Sequence, residues 1–512
     1  MSILILILVI IDLNSIDAWV NHPTSNKIRI THVIKSNKRT GSSSLLSKTL
    51  FFSQNQDSLD DSSDLSDSQR RRKILLALLS SAATSGSYIP ISVFSQEALA
   101  ETTKSSSSSP PQTTIIIPPL DTRSYDTFTL SNGLRVLLCS DPSSNTAAAA
   151  MNVHVGASSD PIEIPGMAHF NEHMLFLGTK SYPEEGSFES FLSANGGSSN
   201  AFTEGENTVY YFDMNAEVET KMAEGLDRFG SFFTSPLFTE SATLRELNAI
   251  ESENSKNLQS DAFRFYQIEK SRASSQHPYS KFYTGNKETL LEGTQKQQLD
   301  LRSELIKFWS TYYNADQMSL AIVAPQSIET LKKMVVYSFE NIRNNSNRPF
   351  MKPEDQWNGI VAPFSGKAED SVIPSQGYIV EVVPVADARQ VQLIWPIIYT
   401  STEDRMNQDL IKPAVFVSQV LGYEGRNSLL SYLKRQGWAN ALGASTDGDF
   451  SDFYTFGITV GLTSLGLAQV DQVVEAIFSY IAMMNVGRNI PRYIFDEVLQ
   501  ISELNWRFLT KV

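Results

Sequence analysis

Gly166-Met-Ala-His-Phe-Asn-Glu-His-Met-Leu-Phe-Leu-Gly-Thr179 holds two of the chain's six histidines, four positions apart, with a glutamate directly before the second. The segment reads as a helix, and on a helix residues four apart lie one above the other on the same face. His169 and His173 can therefore direct ring nitrogens at a single metal ion. Glu172 lies three positions from the first histidine and stays near that face without having to be a ligand. Such a carboxylate suits a general base acting on a zinc-bound water, whose pKa falls to about 7 on the metal.

A catalytic zinc takes three protein ligands and keeps one position open. Cys139 is the only cysteine, so no internal disulfide and no cysteine-based zinc site can form. The third ligand must be a carboxylate or a distant histidine. Arg245-Glu-Leu-Asn-Ala-Ile-Glu-Ser-Glu253 offers Glu246, Glu251 and Glu253 on a predicted helix, with Glu246 and Glu253 two turns apart on one side. Spacing alone does not choose among them. A bare H-x-x-E-H arises by chance in a chain of this composition at a rate on the order of one per cent or less. A structural zinc site would be closed by four ligands, often cysteines, which this chain lacks.

Working outward, the 512 residues exceed one ordinary domain and allow two cores. A net charge of −14 argues against a nucleic-acid partner, which needs clustered Lys and Arg to neutralise phosphates. Asn132-Gly133 between two apolar runs predicts a hairpin, and a folded domain begins near Leu120. Residues 147–156 and 208–213 read as strands, and 218–233 and 240–259 as long helices. After a linker around residues 345–370 a comparable order returns, with strands at 377–384, 388–399 and 453–462 and helices at 409–421 and 428–435. The fold class is α+β, with an internal duplication at a period of roughly two hundred residues whose second copy lacks the histidine pair. Residues 121–350 are expected to form the catalytic domain, and 351–512 a second, inactive and incomplete one.

The first 120 residues read as an address. Ile3 to Ile11 has the length of a signal-peptide core, giving a signal peptide over 1–18. Residues 19–69 include a long stretch without acidic residues, rich in Ser, Lys and Arg, as transit peptides are. Arg70-Arg-Arg-Lys73, an apolar segment and Ala98-Leu-Ala100 follow, in the order of a twin-arginine signal, over 70–100. The alternative for that stretch is an uncleaved membrane anchor or entry to the secretory pathway. Residues 101–120 form a Ser- and Pro-rich linker. Together these segments predict a plastid protein, with the thylakoid lumen as the final compartment.

The segment 166–179, together with Gly197-Ser-Ser-Asn-Ala-Phe-Thr203, Tyr210-Tyr-Phe-Asp213, Leu226-Asp-Arg-Phe229 and Arg245-Glu-Leu-Asn-Ala249, resembles the M16 metallopeptidases, in their insulin-degrading enzyme (insulysin, pitrilysin-like) branch. The resemblance runs from about Asp121 onward. It implies two tandem domains, antiparallel-rich sheets packed with helices, and a zinc endopeptidase acting on short unfolded peptides. It makes His169, His173 and Glu253 the zinc ligands, Glu172 the base and Glu246 a supporting acid that orients a ligand. Glu253 is preferred to Glu251 because Ser-Glu-Asn-Ser-Lys-Asn257 matches the ligand segment. Asn200, Ala201 and Phe202 match an edge strand that pairs with substrate backbone. Gly422, Glu424 and Leu442 match an exosite for a peptide's N-terminus, with Tyr423 where the branch usually has His. Asn171 likewise departs from the branch. The resemblance further implies that a C-terminal half or partner chain completes a substrate chamber, that the chain is an early truncation with poor turnover alone, and that dimers form. The alternatives are a non-catalytic M16-like subunit and a presequence-processing peptidase subunit.

Overall fold

Leu130 N–H donates to the Leu134 carbonyl, and Gly133 N–H to the Leu130 carbonyl, both at 2.9 Å, closing the turn at Asn132-Gly133. Gly133 has φ 91°, a conformation that L side chains resist. The Asn132 side chain does a second job, donating from Nδ2 to the carbonyls of Phe339 (2.9 Å) and Ile342 (3.0 Å). It thereby satisfies carbonyls at the end of a helix over Ile328–Phe339 that have no intrahelical donor.

The structure, a computed structural model, describes residues 7–10, 115–216, 218–344, 363–364, 378–448, 450–487, 490 and 492–508. The stretches expected as transit peptide (19–69) and twin-arginine segment (70–100) lie outside the described residues. So do the linker up to residue 114 and most of 345–370. Ile7–Ile10, from the expected signal-peptide core, is a strand (β1). Two compact units are present. One takes in the described residues up to 10, 255–281 and those from 363 to 503; the other holds the remainder from 115 to 254, 282 to 344 and 504 to 508.

The second of these units carries a six-stranded sheet. The hairpin β2 (Ser124–Thr129) and β3 (Arg135–Ser140) is followed by β4 (Thr146–Val153), β5 (Ser198–Thr203), β6 (Thr208–Asn215) and β7 (Met318–Ala324), in the order β2-β3-β7-β4-β6-β5. β7 runs parallel to β3 and antiparallel to β4; every other pairing is antiparallel. β4 reads Thr-Ala-Ala-Ala-Ala-Met-Asn-Val and is buried on both faces, as a central strand's near-continuous apolar run requires.

The longer helices along this part of the chain are α1 (Met167–Leu175), α2 (Ser187–Ala194), α3 (Glu219–Thr234), α4 (Glu240–Asn257), α5 (Asp261–Lys270), α6 (Leu301–Tyr312) and α7 (Ile328–Phe339), of which α5 belongs to the other unit. α3 shows why such a sequence is helical here. Met222, Leu226, Phe229 and Phe233, at three- and four-residue steps, form one buried stripe. Phe229 meets Phe212 at 5.2 Å and Phe233 at 5.3 Å, ring centre to ring centre. Aromatic pairs at such distances add about 0.5–1.5 kcal/mol each beyond burial.

The other unit's sheet has the order β10-β11-β9-β1-β8, from β8 (Tyr378–Glu381), β9 (Gln390–Ile398), β10 (Ala439–Asp447) and β11 (Phe453–Leu462). Matching β8, β9, β11 and β10 to β3, β4, β6 and β5 gives the same order in both sheets, so the duplication is visible in the topology. β1 occupies the position of β7 but points the other way, antiparallel to β8 and parallel to β9. The longer helices in this part of the chain are α8 (Thr402–Ile411), α9 (Pro413–Leu421), α10 (Leu429–Arg435), α11 (Val470–Gly487) and α12 (Arg492–Phe508). The single helix expected over 409–421 is two helices. Pro413 has no N–H and disfavours helical geometry before it, and Lys412 takes φ 50° and ψ 50°. Among the described residues no helix is long and apolar enough to cross a membrane.

Candidate active site

α1 begins without a cap of its own, because Gly166 offers no side chain. Asp160 supplies one from the preceding loop. Its buried carboxylate accepts from Gly166 N and Ala168 N, both at 2.7 Å, where the helix dipole favours negative charge. Gly166 is held at φ 94°, and a Cβ there would lie 2.2 Å from the Gly285 Cα. The two glycines let the strand of chain at 284–285 lie directly on the helix start, which brings the Thr284 carbonyl to 2.7 Å from His169 Nδ1.

That contact decides a tautomer. A carbonyl oxygen only accepts, so His169 carries its proton on Nδ1 and presents a bare Nε2. His173 Nδ1 faces Glu246 Oε2 at 3.1 Å, which fixes the same tautomer. The two Nε2 atoms lie 3.2 Å apart, and Glu253 Oε2 lies 3.5 Å from one and 3.7 Å from the other. Three electron-pair donors thus converge on one point and require a cation between them. Burial disfavours charge on His173, yet the Glu246 and Glu253 carboxylates outweigh it and push its pKa up to about 10.

Zinc also fits the spacing. Atoms about 2.0–2.1 Å from a tetrahedral zinc lie about 3.3–3.4 Å from one another, close to the separations present. Among the described residues, His169, His173 and Glu253 are the group of His, Cys, Asp and Glu side chains that could hold a metal ion. Glu251, on the same helix, faces elsewhere and accepts from Lys287 N at 2.9 Å.

Glu172 is buried beside this cluster. Its pKa is raised by burial, against the lowering effect of the two histidines and of a hydrogen bond from Thr203. The Thr203 hydroxyl donates to Glu172 Oε2 at 2.5 Å. Thr203 ends β5, the edge strand that also carries Asn200, Ala201 and Phe202. Among the described strands β5 pairs with β6 alone and so ends the sheet, with the Ala201 N–H taken up by Asn200 Oδ1 at 2.9 Å. Asn171, two positions from His169, points away from the ligands and is fully buried.

In the other unit Gly422 caps α9 close to β10, where a Cβ on it would lie 3.9 Å from Ala444 N. Leu442 is a buried residue of β10, and Glu424 is exposed in the turn after α9. Three contributors to the metal cluster were not singled out from sequence. Thr203 lay inside the segment 197–203 without a chemical signature of its own. Asp160 and the Thr284-Gly285 pair act through a carboxylate cap and a backbone carbonyl, which no residue spacing announces.

The fold and cluster together define a class of α+β proteins in which an H-x-x-E-H helix and a distant glutamate form a group that could hold a metal ion. The chain matches the Insulinase (Peptidase family M16) profile over residues 135–276 and the Peptidase M16 inactive domain profile over 300–501. It belongs to the M16 peptidase family, with both of that family's domain types present. It is 40% identical over 391 residues to the insulin-degrading enzyme of Drosophila melanogaster, covering 76% of this chain and 37% of that protein. The Homo sapiens insulin-degrading enzyme is 39% identical, covering 77% and 36%. The crystal structure of pitrilysin aligns with a TM-score of 0.67 at 28% identity, covering 78% of this chain and 40% of that one. The chain thus spans well under half the length of these relatives.

Proposed function

We propose that the chain is a zinc-dependent endopeptidase acting on short unfolded peptides. The observation that carries this reading is the convergence of His169 Nε2, His173 Nε2 and Glu253 Oε2 next to the buried Glu172. Zinc held there would supply Lewis-acid polarisation of the attacking water and the scissile carbonyl. Glu246 and the Thr284 carbonyl keep both imidazoles in the tautomer that offers Nε2. Glu172 takes the proton of the attacking water and returns it to the leaving nitrogen. Its Oε2 is held by Thr203, which leaves Oε1 for that transfer. A peptide added along the edge strand β5 at Asn200, Ala201 and Phe202, displacing the Asn200 side chain from the Ala201 N–H, runs toward Thr203 and hence toward Glu172. Main-chain pairing of this kind binds with little regard for side chains.

Gly422, Glu424 and Leu442 are proposed to hold the peptide's N-terminus. A further half or partner chain is proposed to complete the substrate chamber, and the presequence to direct the protein to the plastid, which a fluorescent fusion of residues 1–120 tests. The central test is a fluorogenic peptide assay with metal analysis on the wild type and Glu172→Gln. The reading requires that the variant keep zinc and lose cleavage. Undiminished cleavage by the variant would overturn it.

A further inference from the structure

Residues 255–281 leave the unit that holds the histidine cluster, pack with the other unit and return. The excursion is anchored at several points. The Asp261 carboxylate accepts from Val385 N (2.9 Å) and Ala386 N (3.0 Å). Arg264 bridges Asp261 at 2.7 Å and the Val383 carbonyl at 3.0 Å. Ser274 N donates to the Pro363 carbonyl at 2.6 Å. His277 accepts from Tyr279 N on Nδ1, so its Nε2 carries the proton and donates to Asp452 at 2.9 Å. The Tyr279 ring sits 5.1 Å from both Phe450 and Phe453.

Both ends of this excursion are metal-site residues. Glu253 stands two positions before Ser255, on the helix α4 that also carries Glu246. Thr284, whose carbonyl fixes His169, stands three positions after Lys281. The chain enters and leaves the excursion through the third ligand and through the group that sets a ligand's tautomer.

We propose that residues 255–281 are a positioning strap, anchored in the inactive domain by Asp261 and by the His277–Asp452 pair, that holds Glu253 and Thr284 in register for metal binding. This rests on the zinc reading above and extends it. The inactive domain then contributes to the metal centre through covalent continuity and needs no ligand of its own. Asp261 and Asp452 lie outside the group of His169, His173 and Glu253 that could hold a metal ion. Their charges are matched to fixed partners, two backbone N–H groups with Arg264 in one case and an imidazole in the other.

The test is zinc affinity by chelator competition on the full chain, together with kcat and KM for a fluorogenic peptide. Asp261→Ala, Asp452→Ala and the double variant are compared with Ile458→Ala, which thins the core of the inactive domain away from the strap. The strap predicts zinc affinity about ten-fold weaker in the anchor variants, in the range seen when groups supporting a metal ligand are removed. It also predicts a fall in kcat exceeding any change in KM, and near-wild-type zinc affinity in Ile458→Ala. Anchor variants that lose thermal stability but keep wild-type zinc affinity would overturn the strap while leaving the peptidase reading standing. Equal weakening in Ile458→Ala would also overturn it. A wild type that binds no zinc overturns both.

Discussion

The Thr203 hydroxyl donates to Glu172 Oε2 at 2.5 Å, joining the end of an edge strand to the carboxylate next to the histidine cluster. A single hydrogen bond to a buried charged acceptor contributes about 1.5–3 kcal/mol. Thr203→Val keeps the shape of the side chain and removes that donor. Peptide cleavage should fall by about ten-fold or more on that energy, with zinc content unchanged, measured by steady-state kinetics alongside metal analysis.

Glu246 faces His173 at 3.1 Å without joining the three converging ligand atoms. Replacing it by Gln leaves size and polarity but removes the charge that holds His173 Nδ1–H. Zinc affinity should weaken by about 10–100-fold, the usual effect of losing such a support, as read by chelator competition.

Gly285→Ala places a methyl 2.9 Å from the Gly166 Cα at a residue with φ 72°. Backbone cannot give way there cheaply, since Gly166 opens α1 and Thr284 fixes His169. The variant should show a lower melting temperature and reduced zinc content, measured by calorimetry and metal analysis.

Glu269 is buried, and burial pushes its carboxyl up to about 7 although Tyr279 donates to it at 2.9 Å. Asp447 adds to the rise and Lys270 opposes it. The folded chain therefore holds a proton that the unfolded chain gives up near about pH 4.3. This contribution is complete below that value and is lost as pH rises through about 7. Melting curves between these limits should show the wild type losing stability relative to Glu269→Gln as pH increases.

Phe229 is buried at the centre of five aromatic contacts in the sheet-bearing core, among them Phe212 and Phe233. Phe229→Ala should cost about 3–5 kcal/mol in denaturant unfolding, the range for deleting a buried aromatic ring.

Much of this was legible in the chain itself. The hairpin at Asn132-Gly133, the strand at 453–462 and the helices at 219–234 and 240–257 follow from turn chemistry and apolar periodicity, which are local signals. The helix break at Lys412-Pro413 was equally local but was masked by the apolar run on both sides of it. The cluster His169, His173 and Glu253 came from helical spacing and a family resemblance, and spacing alone left Glu246 and Glu251 open. Their contacts separate the three, since Glu246 faces an Nδ1, Glu251 faces a backbone amide and Glu253 faces both Nε2 atoms. Thr203 and Thr284 stayed hidden because each works through a contact between residues distant in sequence, and Asp160 because it caps backbone N–H groups from a loop rather than from the position next to the helix.

Metal analysis of the purified chain tests the central claim most directly, comparing the wild type with Glu253→Gln and Glu251→Gln. The three-ligand site predicts one zinc per chain in the wild type and in Glu251→Gln, and a large loss in Glu253→Gln. A Glu253→Gln chain that retains its zinc, or a wild type that takes up none, would contradict it.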